Sequence, residues 1–137
     1  MEPRGIRNNN PLNIRRGSKW QGLKKEQTDK CFCQFVSMEY GLRAAFRLLR
    51  NYISGWSGTR KPCKNVHDIV SKWAPASENN TDKYIEFVCK QTGLHQFQSL
   101  NFSDRKTMIA IVAAMAEVEC GRKIDINLIE SAYDLAR

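Results

Sequence analysis

The chain has 137 residues, with 22 Lys and Arg against 14 Asp and Glu for a formal net charge of +8. That length supports one hydrophobic core and leaves too little chain for a second domain. A composition of 42% hydrophobic and 26% charged residues excludes a disordered chain, and no apolar run approaches the roughly 18–20 residues of a membrane span.

The charge is uneven. Residues 1–30 hold eight basic and three acidic side chains, a net +5, and residues 31–137 hold fourteen and eleven, a net +3. A basic entry segment suits a polyanion such as nucleic acid or the bacterial envelope, or serves solubility alone. The opening MEPRGIRNNNPLNIRRG has no apolar h-region, so synthesis in the cytoplasm without a signal peptide is expected. The five cysteines, Cys31, Cys33, Cys63, Cys89 and Cys120, form no CxxC pair, and only His67 and His95 accompany them. That spacing argues against structural zinc. The thiols are expected to be reduced and mostly buried as small hydrophobes, with no metal or organic cofactor.

In chain order, residues 5–30 read as irregular, with Asn8, Asn9 and Asn10 suited to turns and side-chain-to-backbone bonds. Residues 31–36, CFCQFV, read as a short extended piece of a small hairpin, with Cys31 and Cys33 on one face. Ser37 caps a helix over about 38–53, its stripe formed by Leu42, Ala45, Phe46, Leu49 and Ile53, with Arg43, Arg47 and Arg50 outward. Ser54 to Pro62 is a loop. Asn65 starts a short helix through Trp73, stopped at Ala74-Pro75. Asn80 or Thr81 caps the next, which Gly93 ends. Ser103 caps the most apolar helix, about 104–119, with Gly121 as its stop, and a last helix spans about 127–136. The expected fold is mainly α: one helical domain over 1–137 with a small irregular or β-hairpin element, the basic Asn-rich segment 1–30 packing as part of it.

Met108, Val112, Met115 and Glu119 lie within about 60° of one another on the apolar helix. Glu119 therefore continues a buried stripe, where desolvation raises a carboxyl pKa and suits a general acid. The opposing reading turns it outward, or pairs it with Arg122 or Lys123. Glu39 reads more readily as a helix-start residue than as a catalyst, and Asp82 likewise. Asp29 is either a second carboxylate or a turn residue, and Glu78 is a loop acid within reach of a substrate. Trp20, Trp73 and Tyr84 are candidates for stacking on sugar rings, although Trp73 also suits the core and Trp20 a cleft rim.

The segment Arg4-Gly5-Ile6-Arg7-Asn8-Asn9-Asn10-Pro11-Leu12-Asn13-Ile14-Arg15, with Trp20-x-Gly22 after it, resembles the opening of a family of phage and prophage lysozyme-like proteins. DKCFCQF at Asp29 to Phe35, SMEYGLRA at Ser37 to Ala44, Trp73-Ala74-Pro75, Glu78-Asn79-Asn80-Thr81 and Tyr84-Ile85 continue the likeness along nearly the whole chain. Leu12 departs from the family's usual Gly, and a branched residue there must avoid positive φ. The order NNNPLNI, FCQFVS, NNTDKYI is similar to that of flagellar-type N-acetylglucosaminidases. Their catalytic Glu precedes these blocks, whereas here the matching Glu119-Cys120-Gly121 ends the apolar helix. The resemblance thus implies a circularly permuted lysozyme-like domain with Glu119 as the catalytic acid.

What it implies chemically is cleavage of the peptidoglycan glycan strand through an oxocarbenium-like transition state. Glu119 protonates the leaving oxygen. Either a second carboxylate, Asp29 first and Glu39 second, activates water, or the sugar's 6-hydroxyl attacks as in a lytic transglycosylase. The choice among muramidase, glucosaminidase and transglycosylase stays open. Tyr84 and the Asn79–Thr81 loop, with Asn80, Thr81 and Glu78, would contact sugar. Asn9, Asn10 and Asn13 would bind N-acetyl groups or hold the loop's backbone. Action at the wall requires delivery by a holin, a phage particle or a secretion apparatus, in the last case as a toxin with an immunity partner. The rival readings are a non-catalytic virion or wall-binding module with the same fold, and a nucleic-acid-binding domain. The basic residues favour the latter little, since they are not concentrated on one helix.

Overall fold

The computed structural model describes residues 2–55 and 61–137. Six helices follow one another: α1 (Arg4–Arg7), α2 (Met38–Ser54), α3 (Val66–Trp73), α4 (Thr81–Thr92), α5 (Arg105–Cys120) and α6 (Ile126–Ala136). The chain is mainly helical, as expected. The part of the Ser54–Pro62 loop at 56–60 lies outside the described residues, and Ser54 itself closes α2.

Local chemistry sets the helix ends. The Ser37 hydroxyl accepts from the Tyr40 N–H, and the Asn65 and Asn80 side chains accept from Asp68 and Lys83, each satisfying a donor that the first turn leaves free. Gly93 and Gly121 end α4 and α5 in the left-handed region. At α5 the cap is Asp104, not Ser103. Its carboxylate takes both the Thr107 N–H and, at 2.7 Å, the Thr107 hydroxyl, and an anion is favoured at a helix start.

The buried side chains form one cluster. α2 packs mainly on α6, and α4 packs on both α3 and α5. Phe46 of α2 meets Tyr133 of α6 edge to face at 5.3 Å, and Met108, Val112 and Met115 of α5 are fully buried. No helix of the described residues is long and apolar enough to cross a membrane.

The segment 2–36 departs most from its sequence reading. It opens with the helical turn α1 where irregular chain was expected. Residues 31–36 are extended but make no hairpin. They pair through two isolated antiparallel bridges, Arg15 with Phe32 and Leu23 with Phe35, so the irregular alternative is the one realised. Cys31 and Cys33 do not share an environment, because Cys31 is exposed while Cys33 is buried. Cys33 bridges back through its N–H to the Ile14 carbonyl at 2.9 Å.

Side chains replace the missing ladder. Asn10 is wholly buried, its amide donating to the Ile14 and Cys33 carbonyls and its oxygen accepting from the Ile14 N–H, all at 3.0 Å. Asn9, at φ 53°, donates to the Phe35 carbonyl. Leu12 avoids positive φ and is fully buried in the core, while Asn9 and Asn13 carry the left-handed turns. Gly41 of α2 lets this loop sit against the helix, since a Cβ there would fall 1.8 Å from the Asn9 carbonyl oxygen.

Candidate functional site

The last turn of α5 carries Glu119 to the edge of the core. Its Oε1 accepts from the Asn13 amide at 3.1 Å, and its Oε2 accepts from the Tyr84 hydroxyl at 3.1 Å. The same Asn13 amide reaches the Glu119 carbonyl at 3.3 Å, bonding a residue 106 positions away to the helix end. Gly5 of α1 permits the approach, because its Cβ position is bounded by Asn13 Oδ1 at 3.3 Å and Cys120 Cβ at 3.4 Å. Arg122 instead lies 3.8 Å from Glu2, so the outward pairing of Glu119 is not the arrangement formed.

Burial pushes the Glu119 carboxyl above its ordinary value, and the bonds from Asn13 and Tyr84 pull it partly back. Burial, and then the facing Glu119 charge, raise the Tyr84 hydroxyl well above the usual phenol range. Tyr84 therefore stays a hydrogen-bond donor or acceptor at any physiological pH. A partly desolvated carboxyl with two neutral partners is a group poised to hold and release a proton.

Glu119 lines a cleft of about 520 Å³. Trp20 and Phe32 of the N-terminal segment, and Tyr52 of α2 with Trp73 of α3, give it aromatic walls. Tyr52 and Trp73 meet edge to face at 5.5 Å, and the Trp73 indole N–H donates to the Leu12 carbonyl at 3.2 Å. Glu78 and Asn79 form part of the rim. Asn79 is shared with a second groove of about 460 Å³, where Asn80, Tyr84 and Phe87 lie. The two hollows thus adjoin along the 78–80 loop, with the Tyr84–Glu119 bond between them.

The structure sorts the candidates. Glu119, Asn13, Trp20 and Glu78 meet in the cleft, and Asn80 and Tyr84 line the adjoining groove. Tyr84 is only 5% exposed, which leaves its hydroxyl rather than its ring face for function. Trp73 is a cleft wall as well as a core neighbour. Asp29 lies outside both hollows. Its carboxylate takes the Arg4 guanidinium through two bonds of 2.6 Å, the Asn8 amide and the N–H groups of Cys31 and Phe32. Arg4 above all holds it well below the usual carboxylate range, and it acts as a knot of the irregular segment. Glu39 accepts from Ser131 of α6, so it ties two helices. Asn9 and Asn10 spend their side chains on backbone, and Thr81 is buried with its hydroxyl on the Ala74 carbonyl at 2.6 Å. These three hold the loops that bear the site.

Sequence reading missed Arg15, Lys72 and Tyr52, all of which line the cleft. Tyr52 had a usable signal. With Leu48 it makes an apolar i,i+4 pair off the core-facing stripe of α2, and such a pair needs something else to cover. Among the described residues no three His, Cys, Asp or Glu side chains are grouped to hold a metal.

No protein-family model matches the chain. It is 38% identical over 122 residues to Protein P5 of Pseudoalteromonas phage PM2, a match that covers 86% of this chain and 71% of that one.

Proposed function

The chain belongs to the family of Protein P5 of Pseudoalteromonas phage PM2, and for this member we propose cleavage of the glycan strand of bacterial peptidoglycan, with Glu119 as general acid. The observation that carries this reading is the Glu119 carboxyl, raised by burial and bracketed by Asn13 and Tyr84 at 3.1 Å each, in an aromatic-walled cleft. The lysozyme-like motifs support it from the sequence side. In a circularly permuted lysozyme-like fold, the helix-ending Glu at the far end of the chain is expected beside the NNNP block, and Asn13 at the edge of that block bonds to it.

In this mechanism the strand lies along the cleft, its sugars stacked on Trp20 and Trp73. Glu119 delivers its proton to the glycosidic oxygen as the bond breaks. The carboxylate that forms keeps the Asn13 and Tyr84 donors, so the new charge is met by groups already in place. Glu78 is the other acid that lines the cleft among the described residues, and it replaces Asp29 and Glu39 as the group that activates water. The 460 Å³ groove beyond Asn79 receives the strand on the far side of the scissile bond. Delivery to the wall is by a phage particle or lysis apparatus.

Purified peptidoglycan incubated with wild type and with Glu119→Gln, followed by mass spectrometry of the fragments, tests the assignment. Loss of about 10²–10⁴-fold in rate is expected for the variant, with reducing sugar ends in the wild-type products. Anhydro ends would remove Glu78 from the mechanism and leave Glu119. Equal rates for the two proteins would remove Glu119. Wall binding without cleavage by wild type would turn the reading to a non-catalytic module.

A further inference from the structure

We infer that Arg15 and Lys72 make the cleft selective for an acidic glycan, by receiving the carboxylates of the peptide stems that peptidoglycan carries and a neutral aminosugar polymer lacks. This rests on the proposed reading of the cleft as the seat of the glycan strand and goes on to say how that strand is chosen.

Two arginines outside the cleft are tightly matched. Arg4 meets Asp29 at 2.6 Å and Arg105 meets Asp134 at 3.0 Å, each through two nitrogens. Arg15 and Lys72, the cations that line the cleft among the described residues, are held otherwise. The Lys72 ammonium sits 5.0 Å from the centre of the Tyr52 ring. No carboxylate of the described residues lies within ion-pair distance of it. Arg15 lies 5.4 Å from the Phe32 ring and touches Glu78 only at 3.9 Å, with both side chains largely exposed.

Both rings are themselves walls of the cleft. An aromatic face fixes the position of a cation without neutralising it. Each charge is therefore aimed and still open to an anion. Lys72 is half-buried, and a ligand carboxylate would give its ammonium a charge-assisted hydrogen bond. The two come from different elements of the lining: Arg15 from the bridge to Phe32, and Lys72 from the last turn of α3. A strand stacked on Trp20 and Trp73 would bring stem carboxylates to the lining that bears both.

The test is co-sedimentation with two forms of the same sacculi, native and with their carboxylates amidated by carbodiimide and ammonia. Wild type, Lys72→Gln, Arg15→Gln and a control, Arg50→Gln, are compared. Arg50 lies outside this cleft, and its loss removes the same unit of charge. Wild type is expected to prefer native over amidated sacculi about fivefold or more. Lys72→Gln and Arg15→Gln should each reduce that preference, and Arg50→Gln should leave it in place. Equal binding of both forms by wild type would overturn the inference, as would a loss for Arg50→Gln equal to that for Lys72→Gln. Sedimentation reads binding and not cleavage. A protein that prefers native sacculi but never cuts them would therefore keep this inference and sink the proposed cleavage.

Discussion

A proton held by Glu119 is also a statement about stability. Burial raises its folded-state pKa above that of the unfolded chain. Between the two values the folded protein keeps a proton that the unfolded chain has released, so stability falls as pH rises through that window. Above the window the full cost is present, and below the ordinary carboxyl value it vanishes. Glu119→Gln removes the titration. Its amide can still accept from Asn13 and can donate to the Tyr84 oxygen. The variant should therefore melt above the parent at pH 7, with the difference closing on acidification. Thermal melts over a pH series read this directly, and a gap that widens in acid would contradict it. Tyr84→Phe acts on the same group with the opposite emphasis. The hydroxyl bond favours the Glu119 anion, so its removal should push the carboxyl pKa further up. The alkaline limb of the activity profile should then move to higher pH, and a move to lower pH would show that Tyr84 does not act through Glu119.

At the scale of elements, α2 and the N-terminal segment are fitted to each other at Gly41. A methyl group there would meet the Asn9 carbonyl oxygen at 1.8 Å, and the obstacle is backbone, which cannot swing aside. Gly41→Ala is expected to cost about 2–3 kcal/mol or more, although alanine is the better helix former. Denaturant midpoints for the two proteins check this, and an equal or higher midpoint for the variant would show that the loop is not seated on the helix. The contrast between these two elements also marks what could be read in advance. α2, α3 and α4 follow from caps and a 3.6-residue stripe, both of which are local, and the stripe on α5 carries Glu119 with it. The Asn run was legible in kind, as turn residues that bond backbone, but not in its partners. Asn8 bonds Asp29, Asn9 takes a left-handed turn and bonds Phe35, and Asn10 fills a buried polar slot. Those partners lie mostly twenty or more residues away and have no period. Asp29 and Glu39 drew notice as acids, but nothing near them in sequence foretold Arg4 or Ser131 as their partners. Lys72 and Arg15 were hidden for the converse reason, since a lysine beside a helix end and an arginine in a basic tract look like solvated charge.

For the whole molecule, the consequence is that the irregular N-terminal quarter and the helical bundle share one core. Leu12 is fully buried although it lies in a segment with almost no regular structure, and Asn13 beside it closes the contact to the end of α5. An N-terminal arm that merely decorated a bundle would melt ahead of it. A segment that supplies core side chains cannot leave without uncovering the bundle. Leu12→Ala is thus expected to cost about 2–5 kcal/mol, as in the middle of a packed helix, and to do so in a single transition. Far-UV circular dichroism follows the helices, while Trp20 and Trp73 fluorescence follows the cleft that the segment builds. The two signals should fall together in wild type and variant alike. Were the fluorescence of the variant to change at lower denaturant than its helicity, the segment would be a separate unit. The bond between Asn13 and Glu119 would then be a docking contact that opens without unfolding.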